Sequence, residues 1–164
     1  LHLTLLGDGP CLADLRRMAE RLDVRDRVSF EPPLPYGKPL FDRLAGFHAS
    51  IACPLVEDTP RAALDSMARG LPVVAFDLDY FTGLAEASGA VVLAEWPSAY
   101  DLARAFVQCS EDRKALILRM EQAVEFARAN TQQAWLERRR AWMDEFLFEA
   151  PPPRSVDRKE DVYA

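Results

Sequence analysis

The chain has 164 residues, 49% hydrophobic and 28% charged, which is enough for one domain with a sizeable core and typical of a soluble globular protein. Its net charge of −6 argues against a nucleic-acid partner, which would reward a basic face. No apolar run approaches the roughly 18 residues of a membrane span, and nothing resembles a signal peptide, so the expected location is cytoplasmic by default.

Leu1 to Leu6 reads as a strand and Gly7-Asp8-Gly9-Pro10 as the turn after it. Pro10 opens a helix with the apolar stripe Leu12, Leu15, Met18, Ala19 and Leu22. Val28-Ser29-Phe30 is a second, short strand. The loop from Glu31 to Gly37 carries Pro32, Pro33 and Pro35, too many for regular structure. Pro39 begins a helix with Leu40, Leu44 and Phe47 inward.

Ser50 to Leu55 is a short run without polar alternation, as expected of a strand covered on both faces. Thr59-Pro60 looks like a helix start, with Thr59 as cap and proline at the first helical position, and Leu64, Met67, Ala68 and Leu71 face inward. Pro72 to Phe76 is a second fully apolar strand, so Ser50 to Asp79 forms a β-α-β unit, with Glu57 beyond the first strand and Asp77 and Asp79 beyond the second. The function is expected there.

Tyr80 to Ser88 reads as a short helix and Ala90 to Leu93 as a last strand. Helices follow, capped by Ser98 and Ser110, with Leu102, Ala105, Phe106 and Cys109 inward on one and Leu116, Met120, Ala123, Val124 and Ala127 on the next. A third runs from Thr131 to about Phe148, where Trp135, Trp142 and Phe146 fit a core-facing stripe and Arg138-Arg139-Arg140 a solvated surface. The domain is expected over 1–149 and a disordered tail over 150–164. Cys11, Cys53 and Cys109 lack zinc or disulfide spacing and are expected to be buried thiols. His48 and His2 read as packing or surface residues. The fold class that follows is α/β: an open parallel sheet flanked by helices, with a helical C-terminal segment. Ligands bind such sheets outside the carboxyl ends of the strands.

Taken together, LTLLGDGP before a helix, DVRDRVSF, and the acidic loop and helix ending in ALDSMARGLPVVAFD resemble the C-terminal, nucleotide-sugar-binding half of retaining GT-B glycosyltransferases of group 1, or family 4, type. That family carries Glu, seven residues, Glu before an A-x-G-x-P-V-V-A strand; Glu57 and Asp65 stand at those positions. The resemblance implies a Rossmann-like domain that binds a nucleotide-diphosphate sugar, for a hexosyltransferase of polysaccharide biosynthesis needing neither cofactor nor metal. Glu57 would lie against the transferred sugar, and Asp65 would bond the ribose hydroxyls. Thr59, Arg61 and Ala62 would present the helix start to the diphosphate, through backbone N–H groups and the Arg61 side chain.

The resemblance also implies partners outside the chain. The family's first strand of this domain and its acceptor-binding N-terminal domain would precede Leu1, so the chain is expected to be a piece, inactive by itself. Peripheral membrane association would run through that other domain, and the last helix would cross to it. The alternative is a non-catalytic nucleotide or nucleotide-sugar binding or assembly module.

The chain departs from the family at three places. Asp65 is one methylene shorter than Glu, Pro32 replaces a base-contacting glycine and has no N–H, and Leu78-Asp79-Tyr80-Phe81-Thr82 replaces Gly-Gly-x-Pro-Glu. Plainer readings exist too: Glu57 as a solvated loop acid, and Asp65 paired with Arg61 four residues earlier for ~0.2–0.5 kcal/mol. VVAFDLDYFT also looks like the first motif of haloacid-dehalogenase-type phosphatases, with Asp77 as nucleophile, Asp79 as general acid and Mg²⁺ on the phosphate. Phe81, however, occupies the place of that motif's Thr or Val, and no later motif set follows.

Overall fold

The computed structural model describes residues 1–149. The tail expected over 150–164 lies outside the described residues. Five strands alternate with helices: β1 (Leu3–Leu6), α1 (Leu12–Arg21), β2 (Val28–Glu31), α2 (Lys38–Leu44), β3 (Ser50–Ala52), α3 (Arg61–Met67), β4 (Val73–Phe76), α4 (Asp79–Ser88), β5 (Val91–Ala94), α5 (Ala99–Glu111), α6 (Arg113–Ala129) and α7 (Gln132–Asp144). A π turn, Glu145–Glu149, extends α7. All pairings are parallel, and the strands form two ladders, β1–β2 and β3–β4–β5.

The core is built around β4. Every residue from Val73 to Phe76 is buried, and alternate side chains enter two different clusters. Val73 and Ala75 pack with Met67, Phe81, Leu84 and Ala123 from α3, α4 and α6. Val74 and Phe76 pack with Ala94, Ala105 and Cys109 from β5 and α5. This is the two-sided cover that an unbroken apolar strand in a parallel sheet requires. Burial pushes the Cys109 thiol pKa up.

Away from β4 the cover thins. β3 is shorter than expected and lies at the edge of its ladder; Ala52 joins the core, while Ile51 remains 39% exposed. Cys53 is exposed, as is Cys11, so only Cys109 of the three thiols is buried. On α1 only Ala19 is buried, and Leu15, Met18 and Leu22 of the expected inward stripe are exposed. The buried face of α3 is Ala63, Ser66 and Met67, whereas Ala68 points outward. Periodicity identifies the residues that share a face; the neighbour on that face determines the depth of burial.

The expected cap holds at Ser98, whose side chain accepts from Asp101 N–H, and Thr131, expected as the start of its helix, caps it by accepting from Ala134 N–H. α6 is capped by Asp112, not Ser110, because α5 continues through Ser110 to Glu111. The Asp112 carboxylate accepts from Lys114 and Ala115 N–H, each at 3.0 Å. Trp135, Trp142 and Phe146 do not reach the core and are 55%, 61% and 62% exposed. Trp142 stacks on Phe146, and the Arg138 guanidinium lies over Trp135 while bonding Ala129 O and Asn130 Oδ1. No residue of α7 is buried.

At the end of β2, Glu31 forms a two-pronged ion pair with Arg43 of α2, at 2.8 and 2.6 Å. Arg43 also lies over the Phe47 ring. The hydrogen bonds from Arg43 hold the Glu31 carboxyl below its usual pKa, with the neighbouring positive charge adding to the effect against desolvation.

Two outcomes test this construction. Phe81 is fully buried in the β4 cluster, so Phe81→Ala should lower unfolding free energy by about 3–5 kcal/mol in urea titration. The Glu31–Arg43 pair stabilises the fold fully above the carboxyl's unfolded pKa and ceases to do so as pH falls through the lowered folded value. Glu31→Gln should therefore melt below wild type at neutral pH, with the difference closing in acid.

Candidate functional site

The carboxyl ends of β3, β4 and β5 are tied together by carboxylates accepting from backbone N–H groups. Beyond β3, the loop from Leu55 to Thr59 is exposed. From it Glu57 reaches the start of α4, and its Oε1 accepts from the Asp79 N–H at 2.9 Å. Leu78, in the cap position of α4, has no side-chain acceptor for the helix's free N–H groups. Glu57 supplies one from 22 residues away, and its charge suits the positive end of the helix. Glu57 is therefore an oriented carboxylate and not a freely solvated loop acid.

Asp77, at the end of β4, is used similarly: its Oδ1 accepts from Trp96 N–H, beyond β5, at 2.8 Å. Asp79 is the first residue of α4. The D-x-D pattern is thus part of the loop scaffold, with one carboxylate bracing the next loop. Among the described residues no three His, Cys, Asp or Glu side chains are grouped to hold a metal ion.

The start of α3 differs from the expected one. Pro60, not Thr59, occupies the cap position, with φ −69° and ψ 112°, and no side chain caps the helix. Thr59 lies one place too early; its own N–H donates to Asp58 Oδ1 at 2.7 Å. The Ala63 N–H bonds Pro60 O, which leaves the N–H groups of Arg61 and Ala62 at the open end of the helix. Both residues are exposed.

One turn further on, Asp65 is half-buried and does not pair with Arg61. Its Oδ1 accepts from the hydroxyl of Tyr36 at 3.1 Å. Tyr36 comes from the proline-rich loop after β2, and its ring packs edge-on against Phe41, with centroids 5.6 Å apart. The Arg61 guanidinium lies over the same ring, 5.7 Å from its centre. The hydrogen bond to Asp65 pushes the Tyr36 phenol pKa up, with the carboxylate's charge adding to the shift. Arg61, Asp65 and Tyr36 thus form one cluster joining two strand-end loops. Sequence reading singled out the first two and not Tyr36, whose signal was an aromatic residue directly after three prolines.

Beside this cluster, a cleft of about 210 Å³ runs between β3 and α3. It is mostly apolar, lined by Ile51, Pro54, Pro60 and Ala62, and excludes Glu57, Arg61 and Asp65. The polar groups therefore sit on an open rim at the strand ends. His48 is exposed before β3, and His2 is hydrogen-bonded to Ser29 Oγ, away from the rim.

The family model for glycosyl transferases group 1 matches residues 1–112. An alpha-monoglucosyldiacylglycerol synthase of Streptococcus pneumoniae is 33% identical over 85 residues, covering 51% of this chain and 19% of that protein. Anabaena Alr3699/HepE, solved in complex with UDP, is similar with a TM-score of 0.75 at 20% identity, over 92% of this chain and 41% of that one. WaaG, a glycosyltransferase involved in lipopolysaccharide biosynthesis, is similar with a TM-score of 0.69 at 18% identity, over 91% of this chain and 38% of that one. The chain thus spans about a fifth of the curated relative and about two fifths of these solved structures. Its helix-flanked parallel strands have the Rossmann-like arrangement of GT-B structures, and the chain belongs to the group 1 glycosyl transferases.

Proposed function

We propose that this chain is the donor-binding domain of a glycosyltransferase that moves a hexose from a nucleotide-diphosphate sugar, with retention, to an acceptor held by a second domain. One observation carries the reading. The segment from Glu57 to Asp65, at the carboxyl end of β3, combines an oriented carboxylate, two open helix N–H groups, a guanidinium and a second oriented carboxylate.

Each group has a task in that chemistry. The N–H groups of Arg61 and Ala62 and the Arg61 side chain receive the diphosphate, whose negative charge grows as the sugar–phosphate bond breaks. Glu57, held from one oxygen by Asp79 N–H, offers the other to the positive charge developing on the sugar ring. Asp65 takes the ribose. Binding and electrostatics carry the proposed chemistry. The UDP in the HepE complex, and the UDP and glucose in a second one, support uridine nucleotides as the first ligands to test.

A second reading, a domain that holds a nucleotide without turnover, is favoured by one fact: Glu57 and Asp65 both already have partners within the protein. The two readings separate by experiment.

Titration calorimetry with UDP, GDP and ADP should find binding of at least one, and Arg61→Ala should weaken it about tenfold. Binding of none would end both readings. Glu57→Ala should leave nucleotide-diphosphate affinity within about twofold yet, in a protein that includes the acceptor domain, cut sugar transfer by about a hundredfold or more. Unchanged transfer in that variant would remove Glu57 from the reaction, and no transfer by the unaltered two-domain protein would favour the holding module.

A further inference from the structure

Asp65 presents a difficulty that the structure resolves. A ribose offers two neighbouring hydroxyls, and a short carboxylate with one oxygen already engaged has limited capacity to meet both. The engaged oxygen is bonded by Tyr36, whose own oxygen keeps lone pairs for a further donor. The phenol oxygen, 3.1 Å from the engaged carboxylate oxygen, therefore stands beside the free one, and the two can accept from adjacent hydroxyls of a five-membered sugar ring.

Tyr36 is held firmly for an exposed residue. It is 64% exposed, yet Phe41 packs against its ring edge-on, Arg61 covers it, and Asp65 receives its hydroxyl. The backbone leading to it is stiffened by Pro32, Pro33 and Pro35. Its exposure on the rim leaves the hydroxyl within reach of a ligand, and its neighbours fix where that hydroxyl is.

We propose that Tyr36 and Asp65 together form the sugar-diol site of the nucleotide, Tyr36 completing the reach that Asp65 lacks. This rests on the donor-binding reading above. In the bound state the free carboxylate oxygen accepts from one ribose hydroxyl and the phenol oxygen accepts from the other, while the phenol proton continues to orient Asp65. Tyr36 is on this account a specificity residue for ribose and takes no part in bond breaking.

The test is a matched titration of wild type and Tyr36→Phe with whichever of UDP, GDP and ADP binds wild type most tightly, and with the 2′,3′-dideoxy form of that nucleotide. The substitution keeps the ring against Phe41 and Arg61, and an unchanged circular-dichroism melt would confirm that the loop's packing survives. The expected result is about a tenfold loss of affinity for the ribonucleotide and none for the dideoxy form. Equal affinity of Tyr36→Phe and wild type for the ribonucleotide would overturn the proposal alone. An equal loss for both nucleotides would also overturn it, pointing to a ring or loop role for Tyr36. Absence of binding of all three nucleotides to wild type would overturn it together with the donor reading.

Discussion

The structure depends on the burial of β4 from both sides. Four consecutive residues, Val73 to Phe76, are within 3% of complete burial, and their alternation sends two side chains into each of two separate clusters. Because a parallel neighbour bonds it on either edge, β4 also has its backbone groups satisfied without water. That double demand fixes α3, α4 and α6 on one face and α5 on the other. The surface loops at the strand ends follow from where those helices must begin.

Those loops are then held by charge. Helix starts carry free N–H groups, and here carboxylates from other loops meet or leave them: Glu57 meets α4, Asp77 braces the chain after β5, and α3 is left open at Arg61 and Ala62. α5, α6 and α7 have polar caps of their own, whereas α3, like α1 and α2, has no side chain over its first N–H groups. The open end and the Arg61 side chain face the rim where a diphosphate is proposed to sit. Tyr36 adds the contribution of a different strand end, so the site is assembled from at least two loops, one from each ladder.

Much of this was legible in the residues. The apolar run Pro72–Phe76 announced a strand covered on both faces, and the order of strands and helices announced the α/β class, because these patterns follow from local periodicity. Glu57 and Asp65 drew attention as acids at a strand exit and on the following helix. Their partners were not legible. Helical spacing offers Asp65 a pairing with Arg61, but the guanidinium lies over a tyrosine from another loop and the carboxylate accepts from that tyrosine's hydroxyl. Thr59 looked like a cap by residue type, and the chain placed Pro60 in that position. The aromatic stripe of α7 looked like core, although no described neighbour covers it.

The sequence by itself determined the order of strands and helices, that Pro72–Phe76 is a strand covered on both faces, and which acidic residues stand beyond the strand ends. These are properties of runs of adjacent side chains, set by backbone geometry and apolar period. Only the tertiary structure decided which carboxylate meets which donor, how deeply each apolar stripe is buried, and that Tyr36 joins Asp65. Such pairings span 22 residues for Glu57 and 29 for Tyr36, and they arise from the packing of helices around β4, for which local spacing holds no signal.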